Sequence, residues 1–412
     1  MTEKRRVYLD HSATTPADPR VVEAMLPYLT EKFGNASSVH SFGQEARAAV
    51  DRARREVAAL IGARANEIVF VSGGTEANNL AIRGLCEAVA SRASQSSKGH
   101  IITSSIEHSS LRGICEALEK AGKGSWEITR LPAHEDGVVQ IEDLRAALRP
   151  DTVLISVMLA NNEIGTIQPI EEVGALVREE RGRGRRQLWL HTDAVQAAGR
   201  IPLNVEKLGC DLLSLSAHKL YAPKGAGALF VRRGVRLMPQ NIGGHQERER
   251  RAGTEGVPAI VAFGAAAKLA REEMDQRSRH DKELRDRFEA GVIERVEDIV
   301  INGDRARRLP HLSNISFRYI EGEGLLISLD LQNVAVSTGS ACSSGTLEPS
   351  PVIRALGRND ELARGAIRFS FGKDNTDQDV DYVLEVLPRA VEKLRQLSPL
   401  NKVSSLEFRL SS

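Results

Sequence analysis

Apolar residues along this chain follow two alternating spacings. Short β-branched runs, EIVFVSG at 67–73, HIITSS at 100–105, TVLISVM at 152–158, LWLHTD at 188–193, DLLSLSA at 211–217 and GALFVRR at 227–233, punctuate residues 20 to 260. Between them lie longer stretches with helical spacing, such as Gln44 to Leu60. This alternation predicts a doubly wound α/β sheet. In such sheets the chemistry sits in the loops at the carboxyl ends of the strands, and the residues just after these runs are unusually polar.

After Pro258 the texture changes. A charged helical stretch, Ala259 to Val296, precedes strand-like runs at NISFRYI and AIRFSFG and a C-terminal helical region, which predicts a second, smaller α+β domain. Two segments read as surface insertions, the Ser-rich SRASQSSKGH at 91–100 and RGRGRR at 181–186. The arginine-rich stretch is expected to be a solvated loop rather than an RNA contact.

Composition narrows the function classes. In 412 residues, 56 Lys plus Arg against 55 Asp plus Glu leave a formal charge of +1, so no global field draws in nucleic acid or an anionic membrane. No apolar run approaches the length of a membrane span or a signal peptide. Cys86, Cys115, Cys210 and Cys342 form no Cys-x-x-Cys pair and no cluster at zinc spacing, so neither a disulfide framework nor a structural metal is expected, and the reducing cytoplasm is the expected compartment.

Lys219 follows the run DLLSLSA in SLSAHKLYAPKG. A lone lysine at a strand end usually faces solvent, but the neighbours of this one supply what a Schiff-base lysine needs, a phosphate cradle and a partner for a pyridinium nitrogen. The cradle is Ser72, Gly73, Gly74 and Thr75 at the start of a helix, whose free N–H groups favour an anion, with Ser216 and His218 adding side-chain donors. Gly-Gly-Thr alone is weak evidence, because such a turn often only caps a helix. Asp193 follows an apolar strand, where an unpaired carboxylate is costly and a protonated ring nitrogen removes the cost. Gln196 is placed to donate to a ring oxygen. His108 is placed to stack on a ring or exchange protons.

Together YLDHSATTP, VSGGTEANN, EHSS, NNEIGTIQP, HTDAVQ, SLSAHKLYAPKG, RAGTEGVP, STGSACSSGTLEPS and IRFSFG resemble the cysteine desulfurases of the class V aminotransferase-like group. The specific part is Ser-x-His-Lys followed by Pro-Lys-Gly, with Ser-Ala-Cys-Ser-Ser about 120 residues later. The resemblance implies a type I, aspartate-aminotransferase-like fold, with a large mixed-sheet domain over 16–260 and a small α+β domain over 1–15 plus 261–412, the latter carrying a long cysteine loop at about 337–349. It implies pyridoxal 5'-phosphate held covalently by Lys219, its ring nitrogen by Asp193, its phenolic oxygen by Gln196, and its phosphate by Gly74, Thr75, Ser216, His218 and, from a second subunit, Thr254. His108 would stack on the ring, Asn162 would lie beside cofactor and substrate, and Arg368 would clamp the carboxylate of L-cysteine. Cys342 would take the sulfur as a persulfide and pass it to an iron–sulfur scaffold or tRNA-thiolation acceptor. Its stretch is too rich in Gly and Ser for a comfortable core strand, whereas Cys86, Cys115 and Cys210 suit buried small hydrophobes. A selenocysteine or sulfinate lyase, an aminotransferase and a silent scaffold are the rival readings.

Overall fold

The computed structural model describes residues 5–91, 99–121, 126–338 and 349–399. Its strands are β1 (Val7–Tyr8), β2 (Ile68–Val71), β3 (His100–Ser104), β4 (Glu127–Leu131), β5 (Thr152–Ser156), β6 (Trp189–Asp193), β7 (Leu212–Ser216), β8 (Gly227–Val231), β9 (Ile299–Ile301), β10 (Leu312–Phe317), β11 (Val334–Ala335) and β12 (Ala366–Ser370). Seven form one mixed sheet in the order β2-β8-β7-β6-β5-β3-β4. The strands β4, β3, β5, β6 and β7 run parallel, and β8 is antiparallel to both β7 and β2. The expected doubly wound mixed sheet is therefore present, with β4 as an additional strand whose half-exposed EITRL sequence carries too weak an apolar signal to stand out.

Both faces of this sheet are buried, which is why its strands are apolar without alternation. On β2, Ile68 and Phe70 enter one core while Val69 and Val71 enter the other. The first core is closed by the helices Ser41–Leu60 and Val257–Glu272, the second by Gly74–Ala90 and Ser109–Lys120. At the first helix pair a Cβ on Gly264 would lie 2.5 Å from Ala53 Cα, so this close approach admits only glycine.

The single helix expected from Ala259 to Val296 is two helices, Val257–Glu272 and Met274–Arg295. At the break, the Glu273 carboxylate pairs with Arg20 at 2.6 Å and Arg277 at 2.5 Å. The break separates two packing environments: Ala262, Phe263, Ala266 and Ala270 lie in the large-sheet core, whereas Leu284, Phe288 and Val292 lie in a second cluster with Leu9, Ile315, Phe317, Val334, Phe369, Phe371 and Val383. That second cluster is built on the antiparallel sheet β12-β10-β9 and the parallel pair β1-β11. The strand β1 and Leu9 thus pack with the C-terminal third of the chain.

Three of the four arginines of 181–186 are engaged within the fold. Arg181 donates to the Leu188 carbonyl at 2.9 Å, pairs with Asp211 at 2.5 Å and covers the Trp189 ring, while Arg183 and Arg185 pair with Glu180 at 2.8 and 3.0 Å. Among the described residues, no helix is long and apolar enough to cross a membrane and no His/Cys/Asp/Glu group forms a metal cluster.

Candidate active site

The strand ends align the chemistry. Asp193 closes β6, Ser216 closes β7 and pairs with Gly227 of β8, and Val71 closes β2 and pairs with the same glycine. After these ends the chain turns into the helix Gly74–Ala90, which opens one residue before the expected Thr75, and into the 3-10 turn Ala217–Lys219. The parallel direction of the strands thereby brings Asp193, Gly74, Ser216, His218 and Lys219 to one edge.

Asp193 is buried. One carboxylate oxygen accepts from the Val195 N–H at 3.0 Å and the other from Asn78 Nδ2 at 2.8 Å. Asn78 Nδ2 also donates to Ser110 Oγ at 3.0 Å, and Ser110 Oγ lies 2.8 Å from His108 Nδ1. Because the Ser110 backbone N–H donates to the same Nδ1 at 3.2 Å, that nitrogen is an acceptor, and the neutral ring carries its proton on Nε2. His108 caps the helix Ser109–Lys120 in this way. Burial lowers its pKa, against the pull of Asp193 in the opposite direction. A relay of four side chains therefore runs from the buried carboxylate to a neutral imidazole.

The cradle lies across β7 from this relay. A Cβ built on Gly73 would meet only Ser216 Oγ, at 4.0 Å, whereas one on Gly74 would strike Val195 Cγ2 at 2.8 Å. The first glycine therefore faces open space and the second is required for packing. The first-turn N–H groups of a 17-residue helix point into this region. Glu76 also sits in the first turn, but its charge is taken up by Arg251 at 2.8 Å. Exposed Thr254 borders a cleft of about 170 Å³ with Ser72, Gly225 and Arg251, at the same edge of the sheet.

A feature not singled out from the sequence is the strap formed by residues 10–15. Lys219 Nζ donates to the backbone carbonyls of Ser12 and, at 2.7 Å, Ala13. Gln196 Nε2 donates to the Ser12 carbonyl at 2.9 Å, His218 Nδ1 lies 3.1 Å from Thr14 Oγ1, and Thr15 Oγ1 donates to the His218 carbonyl at 2.8 Å. His218 is kept neutral by burial and by neighbouring Lys219, which push it down to about 4. The signal was available in YLDHSATTP, whose polar run follows the apolar stretch Val7, Tyr8 and Leu9.

Arg368, on β12, reaches the same place from the second sheet. Its Nη1 donates to the Asn162 carbonyl at 2.9 Å and its Nη2 pairs with Asp10 at 2.7 Å, while its Nε is buried with no hydrogen-bond partner among the described residues. Cys342 lies outside the described residues. The chain on either side of 339–348 is fastened near Arg368: Ser337 exchanges backbone hydrogen bonds with it at 3.2 and 2.7 Å, and Ser350 Oγ donates to Glu163 at 2.5 Å. Cys86, Cys115 and Cys210 are buried free thiols; burial pushes Cys115 and Cys210 up to about 12 and Cys86 well above the usual thiol range, far from nucleophilic.

These groups suit a phosphate-bearing pyridine. Asp193 receives only uncharged donors in the bonds above, leaving its charge for a protonated ring nitrogen. Asn78 Oδ1 is buried beside it with no hydrogen-bond partner among the described residues, and the glycine cradle supplies the anion site.

The aminotransferase class-V family model matches residues 7–383. A cysteine desulfurase IscS from Dictyoglomus turgidum is 52% identical over 397 residues, 96% of this chain and 97% of that one. A cysteine desulfurase IscS from Methanosarcina thermophila is 50% identical, covering 97% and 95%. Among solved structures, a NifS-like protein superposes with a TM-score of 0.86 at 36% identity, over 95% of this chain and 100% of its own.

Proposed function

Because the chain belongs to the class-V aminotransferase family, we propose that its strand-edge site is that of a pyridoxal-phosphate-dependent cysteine desulfurase. It converts L-cysteine to L-alanine and hands the sulfur to Cys342, for delivery to iron–sulfur assembly or a comparable acceptor. The observation carrying this reading is the meeting of Lys219, buried Asp193 and the His108 relay beside a helix N-terminus. Relatives at 52% and 50% identity named as cysteine desulfurases support it.

Gly74, Thr75, Ser216 and His218 would hold the cofactor phosphate, Asp193 its ring nitrogen, Gln196 its ring oxygen and Lys219 its aldehyde carbon. Bound there, pyridoxal phosphate supplies an electron sink for the substrate carbon that loses its proton. Lys219 Nζ takes up and returns protons at that carbon, and the neutral His108 exchanges them at its Nε2. Arg368 and Asn162 orient the substrate carboxylate, which competes with Asp10 for the guanidinium. The Cys342 thiolate then attacks the substrate sulfur. An S–S bond forms, the C–S bond breaks with its electron pair on the sulfur-bearing carbon, and protonation there, together with return of a proton to the other carbon, gives L-alanine.

We read the chain as a large domain carrying the cofactor and a small one carrying Arg368 and Cys342. The second copy that would bring Thr254 to the phosphate is supported by large apolar side chains left in solvent: Phe33 (67% exposed), Val39 (89%) and Ile242 (90%). The buried free thiols agree with a reducing, cytoplasmic setting.

The test is release of sulfide and alanine from L-cysteine with a reductant, with the visible spectrum recorded alongside. Equal amounts of both products from the parent, and almost none from a Cys342→Ala variant that keeps its yellow cofactor, support the reading. A yellow parent that makes no alanine overturns it.

A further inference from the structure

The turn that presents His108 is fastened at two points to the segment after β5. Asn161 Nδ2 donates to the Ile106 carbonyl at 2.8 Å. Glu107 Oε1 accepts from the Ser104 hydroxyl at 2.6 Å and the Met158 N–H at 2.9 Å. Glu107 is 2% exposed, and its Oε2 is buried with no hydrogen-bond partner among the described residues. An acidic side chain has thus been placed in the interior directly before the ring-facing histidine.

Its protonation state follows from its neighbours. Asp193, on β6, is the other carboxyl group acting on Glu107. Two carboxylates in one desolvated region do not both ionise at modest cost. Asp193 has a donor on each oxygen, whereas Glu107 has donors on one oxygen only, so the charge rests on Asp193. Burial, reinforced by Asp193, pushes Glu107 up to about 8. Two further titratable neighbours are His108, next in the chain and favoured in its neutral form by burial, and the Cys115 thiol on the helix Ser109–Lys120, which burial raises to about 12.

We propose that Glu107 is a positioning residue that, as the uncharged acid, pins the His108 turn to the end of β5 and leaves Asp193 as the anion at the ring-nitrogen position. This rests on the roles proposed above for Asp193 and His108. Ionised Glu107 would place a second negative charge behind the ring-nitrogen partner. A shorter or apolar side chain would free the turn.

Glu107→Gln and Glu107→Ala holoenzymes test this against the parent. Glutamine keeps the acceptor oxygen and the neutral charge, so its turnover at pH 7 should stay within about twofold of the parent. Alanine loses both hydrogen bonds and should lower kcat by about tenfold to a hundredfold through misplacement of His108, with KM for cysteine changing less. Independently of turnover, the parent's infrared spectrum at pH 7 should show a protonated buried carboxyl band that Glu107→Gln lacks and that fades in the parent above about pH 8. Absence of that band at pH 7, or a Glu107→Gln defect as large as that of Glu107→Ala, overturns the proposal. A parent that makes no alanine from cysteine defeats the desulfurase reading instead, and the infrared comparison still decides the charge on Glu107.

Discussion

Replacing Glu247 with alanine should open the loop at 243–256 without unfolding the protein. Glu247, Arg248 and Glu249 have φ of 47°, 58° and 63°, three consecutive non-glycine residues in the left-handed region. At about 1–2 kcal/mol each, this backbone stores about 3–6 kcal/mol of strain. Opposing it, Arg54 holds the Glu247 carboxylate in a two-pronged pair at 2.7 Å on both prongs, and the Phe70 N–H adds a third bond at 3.1 Å. Both partners are buried, and removing one from such a pair costs about 3–5 kcal/mol. Glu255, 3.9 Å from Arg54, would take over part of the charge and draw the cost toward the lower figure. The two magnitudes nearly balance, so loss of the pair should release the loop rather than destabilise the sheet. At about 1.4 kcal/mol per decade, the open population should rise by about a hundredfold or more. Trypsin cleavage at Arg248, Arg250 or Arg251 reads this directly, alongside the midpoint of global thermal unfolding. An additional Arg248→Gly change removes strain at one position and should restore part of the protection. Cleavage that rises less than threefold in Glu247→Ala, or a collapse of the global midpoint with no selective nicking, would refute the balance.

Other expectations follow from the site and the core. His108 favours its neutral form in the folded protein, so as pH falls its protonation sets in only below the ordinary value of about 6.5, and the acid limb of kcat/KM measured by alanine formation should lie below that pH. Asp10→Asn removes the anion that occupies Arg368 at 2.7 Å and should lower KM for cysteine severalfold, read by steady-state kinetics; an unchanged KM would argue against Arg368 as the carboxylate clamp. Gly264→Leu drives a side chain into Ala53 and should cost about 1–3 kcal/mol or more in denaturant unfolding. Asp193→Asn should weaken pyridoxal phosphate retention on dialysis about tenfold or more, since the protonated ring nitrogen loses its anionic partner.

The large sheet was legible because its strands are buried on both faces and end in polar residues, so Asp193, Ser216 and Lys219 announce themselves by position. The edge strand β4 was not, since half-exposed EITRL lacks the apolar run that marked the others. The break at Glu273 was hidden because one charged residue between helical segments looks like any surface position, and only the distant Arg20 gives it a reason to turn. The relay through Asn78 and Ser110 joins residues 115 and 32 positions apart, and no local spacing encodes it. Glu107 sat within the motif EHSS, yet its burial is a property of the fold rather than of its neighbours in sequence.

The strap of residues 10–15 gives this pocket an order of manufacture. Asp10 leaves the ribosome early, but the arginine it pairs with lies 358 positions further on, and β1 must wait for β11 before it has a place in a sheet. Lys219 is made in between, and the strap carrying the two carbonyls that receive its amine is held on one side by the turn after β7 and on the other by the C-terminal third, where the Ser12 N–H donates to Ser370 Oγ at 2.9 Å. A chain not yet synthesised that far therefore carries the lysine, the aspartate and the glycine cradle with one side of the strap unsupported. The pocket wall is therefore complete only once the stretch around Arg368 has folded against the N-terminal strap.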